Sequence, residues 1–113
     1  MPRNMSFMLT TEQVRNKTKD VTRRDGWKKL KEGDILNACK KCMGLKKGEK
    51  VEVICQIRVV DVSFEPLIDI TPHELIREGF SELSTHEFIQ MFCNSHKGCT
   101  PEKIITRIEF EYI

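Results

Sequence analysis

Between residues 19 and 27 the chain reads Lys19-Asp20-Val21-Thr22-Arg23-Arg24, then Gly26-Trp27. An amine, a hydroxyl, two guanidinium groups and an indole therefore fall close together. A threonine hydroxyl becomes a nucleophile only when a neighbouring base takes its proton. A lysine can be that base once burial or nearby cations lower its pKa. Arg24 can hold a phosphate or carboxylate in a planar fork, and Trp27 offers a face on which a base can stack. Lys28, Lys29 and Lys31 would continue a basic groove. From residue types alone, the bland alternative is a basic, solvated loop with one buried tryptophan.

Glu78 is the second chemical candidate. It falls in the last turn of a short helix, at the negative end of the macrodipole, where a carboxylate is disfavoured. A glutamate placed against local preference is either an exposed accident or a functional choice with a raised pKa.

The elements that must position these residues are legible in part. Thr10-Thr11-Glu12-Gln13, Thr71-Pro72-His73-Glu74 and Ser84-Thr85-His86-Glu87 each place a hydroxyl at N-cap and Glu or Gln at N3, the pattern of a capping box. Apolar pairs bracket each start as hydrophobic staples: Leu9 with Val14, Ile70 with Leu75, and Leu83 with Phe88. Pro72 suits N1, Gly79 should end the second helix, and Gly98 should close the third soon after Phe92. His73 and His86 fall on exposed N2 positions, whereas Phe88, Met91 and Phe92 have the spacing of core residues.

Ile35 to about Met43 and Val51 to about Ser63 flank the Gly44–Gly48 turn and read as a hairpin, with Lys46-Lys47 at its solvated tip. In the second strand Val51, Val53, Cys55, Ile57 and Val59 share a face, until the apolar phase slips to Val60, Val62 and Phe64. That slip predicts a bulge or a coil that bends the sheet. Ile104 to Tyr112 alternates as a last strand, and Phe7 to Leu9 reads as a short first one.

At 113 residues the chain fits one domain, residues 1–113, with a modest core. Hydrophobic residues at 39% and charged residues at 32% describe a soluble globular protein. No apolar run approaches the roughly 20 residues that span a bilayer. Met1-Pro2-Arg3-Asn4-Met5 lacks an apolar h-region, so the expected compartment is the cytoplasm, with five reduced cysteines. Residues 1–50 hold 14 Lys/Arg against 6 Asp/Glu, a net +8, and residues 51–113 hold 5 against 11, a net −6. A basic half that contains a tryptophan suits a nucleic-acid or nucleotide surface, unless the acidic half neutralises it across the fold. Cys39-x-x-Cys42 and Cys93-x-x-His96-x-x-Cys99 offer five potential zinc ligands. An alternating strand would point Cys39 and Cys42 to opposite faces, however, so the expectation is no metal.

Lys19-x-x-Thr22-x-Arg24, Gly26-Trp27 and Lys31-x-Gly33-Asp34 resemble the opening of an ASCH domain, a branch of the PUA-like β-barrel superfamily. The resemblance continues through Gly44-Leu45-Lys46-Lys47-Gly48-Glu49, Ile57-Arg58-Val59, Glu65-Pro66-Leu67, Glu78-Gly79-Phe80 and Thr106-Arg107-Ile108-Glu109-Phe110, nearly the whole chain. It implies a single α+β domain, a PUA-like β-barrel with about three short flanking helices. It implies recognition of RNA or a modified nucleoside in a basic cleft of Lys19, Thr22, Arg24, Trp27 and Glu78, with Arg23 and Lys28 adding to binding. In ASCH proteins that deacetylate N4-acetylcytidine, a Lys-x-x-Thr pair works with a later Glu. By that resemblance Lys19 is the base, Thr22 the nucleophile and Glu78 the Glu, while Arg24 binds substrate or steadies the oxyanion. This amidohydrolase activity, or the RNA cleavage attributed to some ASCH proteins, is the alternative reading. A non-catalytic partner-binding domain is a third. No cofactor is implied. Arg23-Arg24 and the Cys-rich C-terminal helix depart from the compact amidohydrolases.

Overall fold

The apolar phase slip in the central strand decides the shape of the sheet. In the computed structural model, which describes residues 2–42 and 45–113, five strands form one sheet. They are β1 (Arg3–Ser6), β2 (Val21–Arg24), β3 (Ile35–Cys39), β4 (Val53–Pro66) and β5 (Ile104–Tyr112), ordered β1-β3-β4-β5-β2. All pairings are antiparallel except β1 with β3. The β4–β5 register runs from Val59↔Phe110 to Asp61↔Glu109, so Val60 is the extra residue of a bulge. A bulge bends its strand and sharpens the twist, and the sheet curls into a half-barrel.

Three strand expectations need correction. β1 is Arg3–Ser6 rather than Phe7–Leu9, because Phe7 turns into the core and Met8–Thr10 coils into a 3₁₀ turn. β3 stops at Cys39 after a register shift; Met43 and Gly44, expected at the strand end and turn, lie outside the described residues. Val21–Arg24 is a strand, not a solvated loop. Val21, Thr22 and Arg23 are all buried, so both faces are covered and no alternation marks the strand in the sequence.

Three helices follow the capping signals to different degrees. In α3 (Thr85–Asn94) the full box forms: Glu87 N–H donates to Ser84 Oγ at 3.1 Å, and Ser84 N–H to the Glu87 carboxylate at 2.9 Å. In α2 (Pro72–Glu78) Thr71 caps the Glu74 N–H, but the Glu74 carboxylate turns to arginines instead. In α1 (Thr11–Arg15) the box is absent. Thr10 makes no side-chain cap, and Gln13 Nε2 donates to the Gly79 carbonyl at 2.9 Å. Leu9 is exposed, so its staple is missing too. A long-range partner has displaced the local one.

The core has two parts. Met5, Phe7, Val14, Leu36, Ala38, Ile57, Val59, Ile108 and Phe110 form one cluster against the sheet. Leu67, Ile70, Leu75, Phe80, Phe88, Ile89, Phe92 and Ile105 pack under α2 and α3.

Gly79 joins the helices to that frame. It ends α2 at φ +91°, and a Cβ there would lie 3.0 Å from Gln13 Cγ and 3.2 Å from its Cβ. Gly79→Ala should therefore cost about 2–3 kcal/mol, combining left-handed strain with crowding. Gly48→Ala, at φ +89° with open space around it, should cost only the backbone share of about 1 kcal/mol. Urea unfolding of the two variants checks the difference.

Candidate functional site

Strands β1 and β2 are the free edges of the sheet, and a side chain spans the seam between them. Arg24 Nη2 donates to the Ser6 carbonyl at the end of β1 (2.6 Å), and Arg24 Nε donates to Thr22 Oγ1 (3.0 Å). The guanidinium lies 4.8 Å from the Phe7 ring centroid. Burial lowers its pKa to about 10, against the opposing charge of Glu78. Under this strap lies a cavity of about 300 Å³. Its polar end carries Lys19, Thr22, Arg24 and Glu78, and its remaining wall is largely Phe7, Phe80, Phe88, Met91 and Phe92, with Thr10 and His96 among them.

Alternation along β2 puts Thr22 and Arg24 on the same face and Arg23 on the other. Lys19 enters from the turn after α1, where Lys17 takes a left-handed φ of +60°. Tyr112 Oη donates to the Lys19 carbonyl at 2.5 Å and fixes the backbone there. The Lys19 ammonium donates to the Glu78 carbonyl (2.5 Å) and to Glu78 Oε1 (3.2 Å). It sits 5.6 Å from the Phe80 ring centroid and 6.0 Å from that of Phe7. Burial is the main force lowering the Lys19 pKa, with Arg24 and then Arg23 helping and Glu78 opposing. Of the two causes open from the sequence, burial or nearby cations, burial is the larger and the two arginines come after it.

Glu78 is buried, at 2% exposure, which excludes the exposed-accident reading. Its second oxygen accepts from Arg23 Nη1 at 3.0 Å. Arg23 Nη2 also serves Glu65 and Glu74, each at 2.9 Å, and Arg107 chelates Glu74 from β5. Arg23 was expected to grip substrate. It touches the cavity, but both terminal nitrogens are committed to carboxylates, and its sealed Nε has no partner among the described residues. The structure gives Arg23 to the scaffold.

Trp27 and Lys28 were expected in the same cleft, and both lie outside the cavity. Trp27, at φ +56°, packs against the sheet core with the Arg3 guanidinium 4.2 Å from its ring centroid. Lys28 is exposed. Cys39 and Cys42 do not alternate along a strand, because β3 ends at Cys39. Their thiols are neighbours, and burial together with Cys42 pushes Cys39 up to about 11. Cys99 rises to about 11 through burial and Cys93. Among the described residues no three His, Cys, Asp or Glu side chains converge as a metal site. None of their helices is long and apolar enough to cross a membrane. Thr10 and His96 line the cavity although the sequence marked them as a helix cap and a metal-ligand candidate. Only the fold could bring them here.

The fold has a solved counterpart. Protein EF3133 from Enterococcus faecalis V583, of the family model DUF984, matches with a TM-score of 0.69 and 15% sequence identity. The match covers 100% of this chain and 80% of that one. At this identity the similarity shows the fold alone. No family model matches the chain, and no curated protein does.

The Glu74 carboxylate on α2 makes stability depend on acid. Hydrogen bonds from Arg107 and then Arg23 hold Glu74 near 2, against the opposing effect of burial. A carboxyl with a depressed folded pKa adds stability that is complete above its ordinary pKa of 4.5 and is lost as pH falls towards 2. Glu74→Gln should lose on the order of 2–3 kcal/mol at pH 6 relative to wild type. It should show a shallower loss between pH 5 and 2.5, read from urea unfolding at each pH.

Proposed function

We propose that this chain is an ASCH-type, PUA-like amidohydrolase that removes the acyl group from a modified nucleoside, with N4-acetylcytidine as the reference substrate. One observation carries the reading: Lys19, Thr22 and Glu78, with Glu78 59 positions from Lys19, line one cavity, and burial favours the neutral amine of that lysine. The volume supports a single nucleoside rather than a strand. It stands at the lower end of the range of about 300–1,000 Å³ for small-molecule sites. Lys28, Lys29 and Lys31 contribute no wall to it, so an extended RNA groove gains no support from this cavity.

The reaction needs only these side chains and water. Thr22 Oγ attacks the acyl carbon while its proton passes to the neutral Lys19 amine. The C–N bond breaks, and the leaving amine takes that proton from the Lys19 ammonium. Water then attacks the acyl ester, with Lys19 receiving one of its protons and returning it to Thr22 Oγ as acetic acid departs and ionises to acetate in solvent. Arg24, already bonded to Thr22 Oγ1, steadies the negative charge that develops beside it. Lys19 Nζ is held by Glu78, and catalytic hydrogen bonds commonly tighten only when substrate arrives.

Chromatography of N4-acetylcytidine incubated with the protein should show cytidine and acetate. Thr22→Ala should lose on the order of a thousandfold or more in kcat with the fold intact, and Lys19→Met should lose nearly as much. Because the neutral amine is the active form, kcat/KM should rise with pH and level off below the ordinary lysine value of 10.5. A folded wild type without turnover, or a fully active Thr22→Ala, ends the hydrolase reading. Binding without turnover would leave nucleoside recognition.

A further inference from the structure

Thr10 sits at the N-cap of α1, where a threonine hydroxyl ordinarily accepts from the helix backbone, and it makes no such bond. The residue is only 4% exposed. Its Oγ1 has no hydrogen bond within the described residues, yet it is not among the atoms sealed from solvent without a partner. Its methyl group points towards the α2 C-cap, since a Cβ on Gly79 would meet Thr10 Cγ2 at 3.5 Å. Thr10 lines the cavity, and its hydroxyl keeps access to open space. A buried threonine that abandons its cap breaks a local rule, and such departures gather at functional sites.

His96 supplies an independent observation on the same wall. Its ring stacks on Phe92 with centroids 4.4 Å apart, and Nδ1 lies 2.8 Å from the Phe92 carbonyl. A carbonyl only accepts, so Nδ1 carries a proton and Nε2 is the group left for a ligand. The two serines on the wall are engaged, Ser6 with the Lys40 carbonyl and Ser95 with that of Met91. Two free hydrogen-bonding points on an otherwise apolar wall fit a ligand with a flat body and a polar edge.

We propose that Thr10 is a specificity-determining residue of this cavity, its hydroxyl hydrogen-bonding the polar edge of a bound nucleoside while His96 Nε2 takes a second contact. This rests on the nucleoside reading above and goes beyond it by naming what recognises the part of the ligand that does not react.

The test compares Thr10→Val, Thr10→Ser and His96→Phe with wild type, using N4-acetylcytidine as the probe. Thr10→Val should raise KM about tenfold, the loss expected for one hydrogen bond, and the effect should fall on KM rather than kcat. Thr10→Ser should restore binding, and His96→Phe, which keeps the stack on Phe92, should weaken it similarly. Melting temperatures should stay at the wild-type value, since no cap is lost. A Thr10→Val variant with a lowered melting temperature and an unchanged KM would show a helix cap and overturn the proposal. If the wild type binds N4-acetylcytidine by calorimetry without hydrolysing it, Kd replaces KM, and the hydrolase reading alone fails. If it neither binds nor reacts, both fall.

Discussion

The buried ion cluster of Lys19, Glu78, Arg23, Glu74 and Arg107 is the constraint on which the site depends. Each charge taken out of water costs several kcal/mol unless a partner meets it, and here every member meets at least one. Arg23 binds Glu65, Glu74 and Glu78 from β2, while Arg107 binds Glu74 from β5. Arg77 extends the network to Asp20 and Glu109. Such a cluster adds little net stability over an apolar one of the same shape. Its consequence is positional: α2 has one register against the sheet in which no charge is stranded. That register carries Glu78 to Lys19. The carboxylate that holds the candidate base is therefore placed by the same charges that dock the helix.

The cavity exists because the half-barrel does not close. A closed barrel would pair β1 with β2 and fill its interior with side chains. Here Arg24 substitutes for that pairing, reaching one carbonyl of β1 and one hydroxyl of its own strand. The space beneath is walled by aromatic rings from both halves of the core, Phe7 from the sheet and Phe80, Phe88 and Phe92 from the helical side. Those rings keep water away from the amine of Lys19, and that exclusion lowers its pKa. Fold, cavity and the chemistry of the lysine share one physical origin.

The features readable in the chain are those set by neighbours in sequence. The Val60 bulge appears as a slip of alternation, since side-chain period and backbone pairing are coupled residue by residue. The α3 box and the Gly79 terminus need only three or four adjacent positions, and both formed. Lys19, Thr22 and Glu78 stood out by residue type and position, their roles came through resemblance, and the fold brings all three to one cavity. The α1 box misled because Gln13 found the Gly79 carbonyl, a partner 66 positions away that no local rule sees. Strand β2 was hidden for a related reason. With both faces buried and a guanidinium neutralised by three distant carboxylates, its residues look like a solvated basic run.

By itself, then, the chain specified the helix starts of α2 and α3, the bend of β4, the last strand and the residue types able to do chemistry. These follow from steric and hydrogen-bonding preferences acting over a few residues. Only the tertiary structure decided what each charged or polar group is for. Arg23 and Arg24 are adjacent and chemically identical, yet the pleat sends one into a carboxylate cluster and the other across the seam. Trp27 is claimed by Arg3 and the sheet core, and Thr10 is released from its cap to face the cavity. Side-chain role depends on which partners arrive from far along the chain, and burial multiplies the free energy of each such meeting.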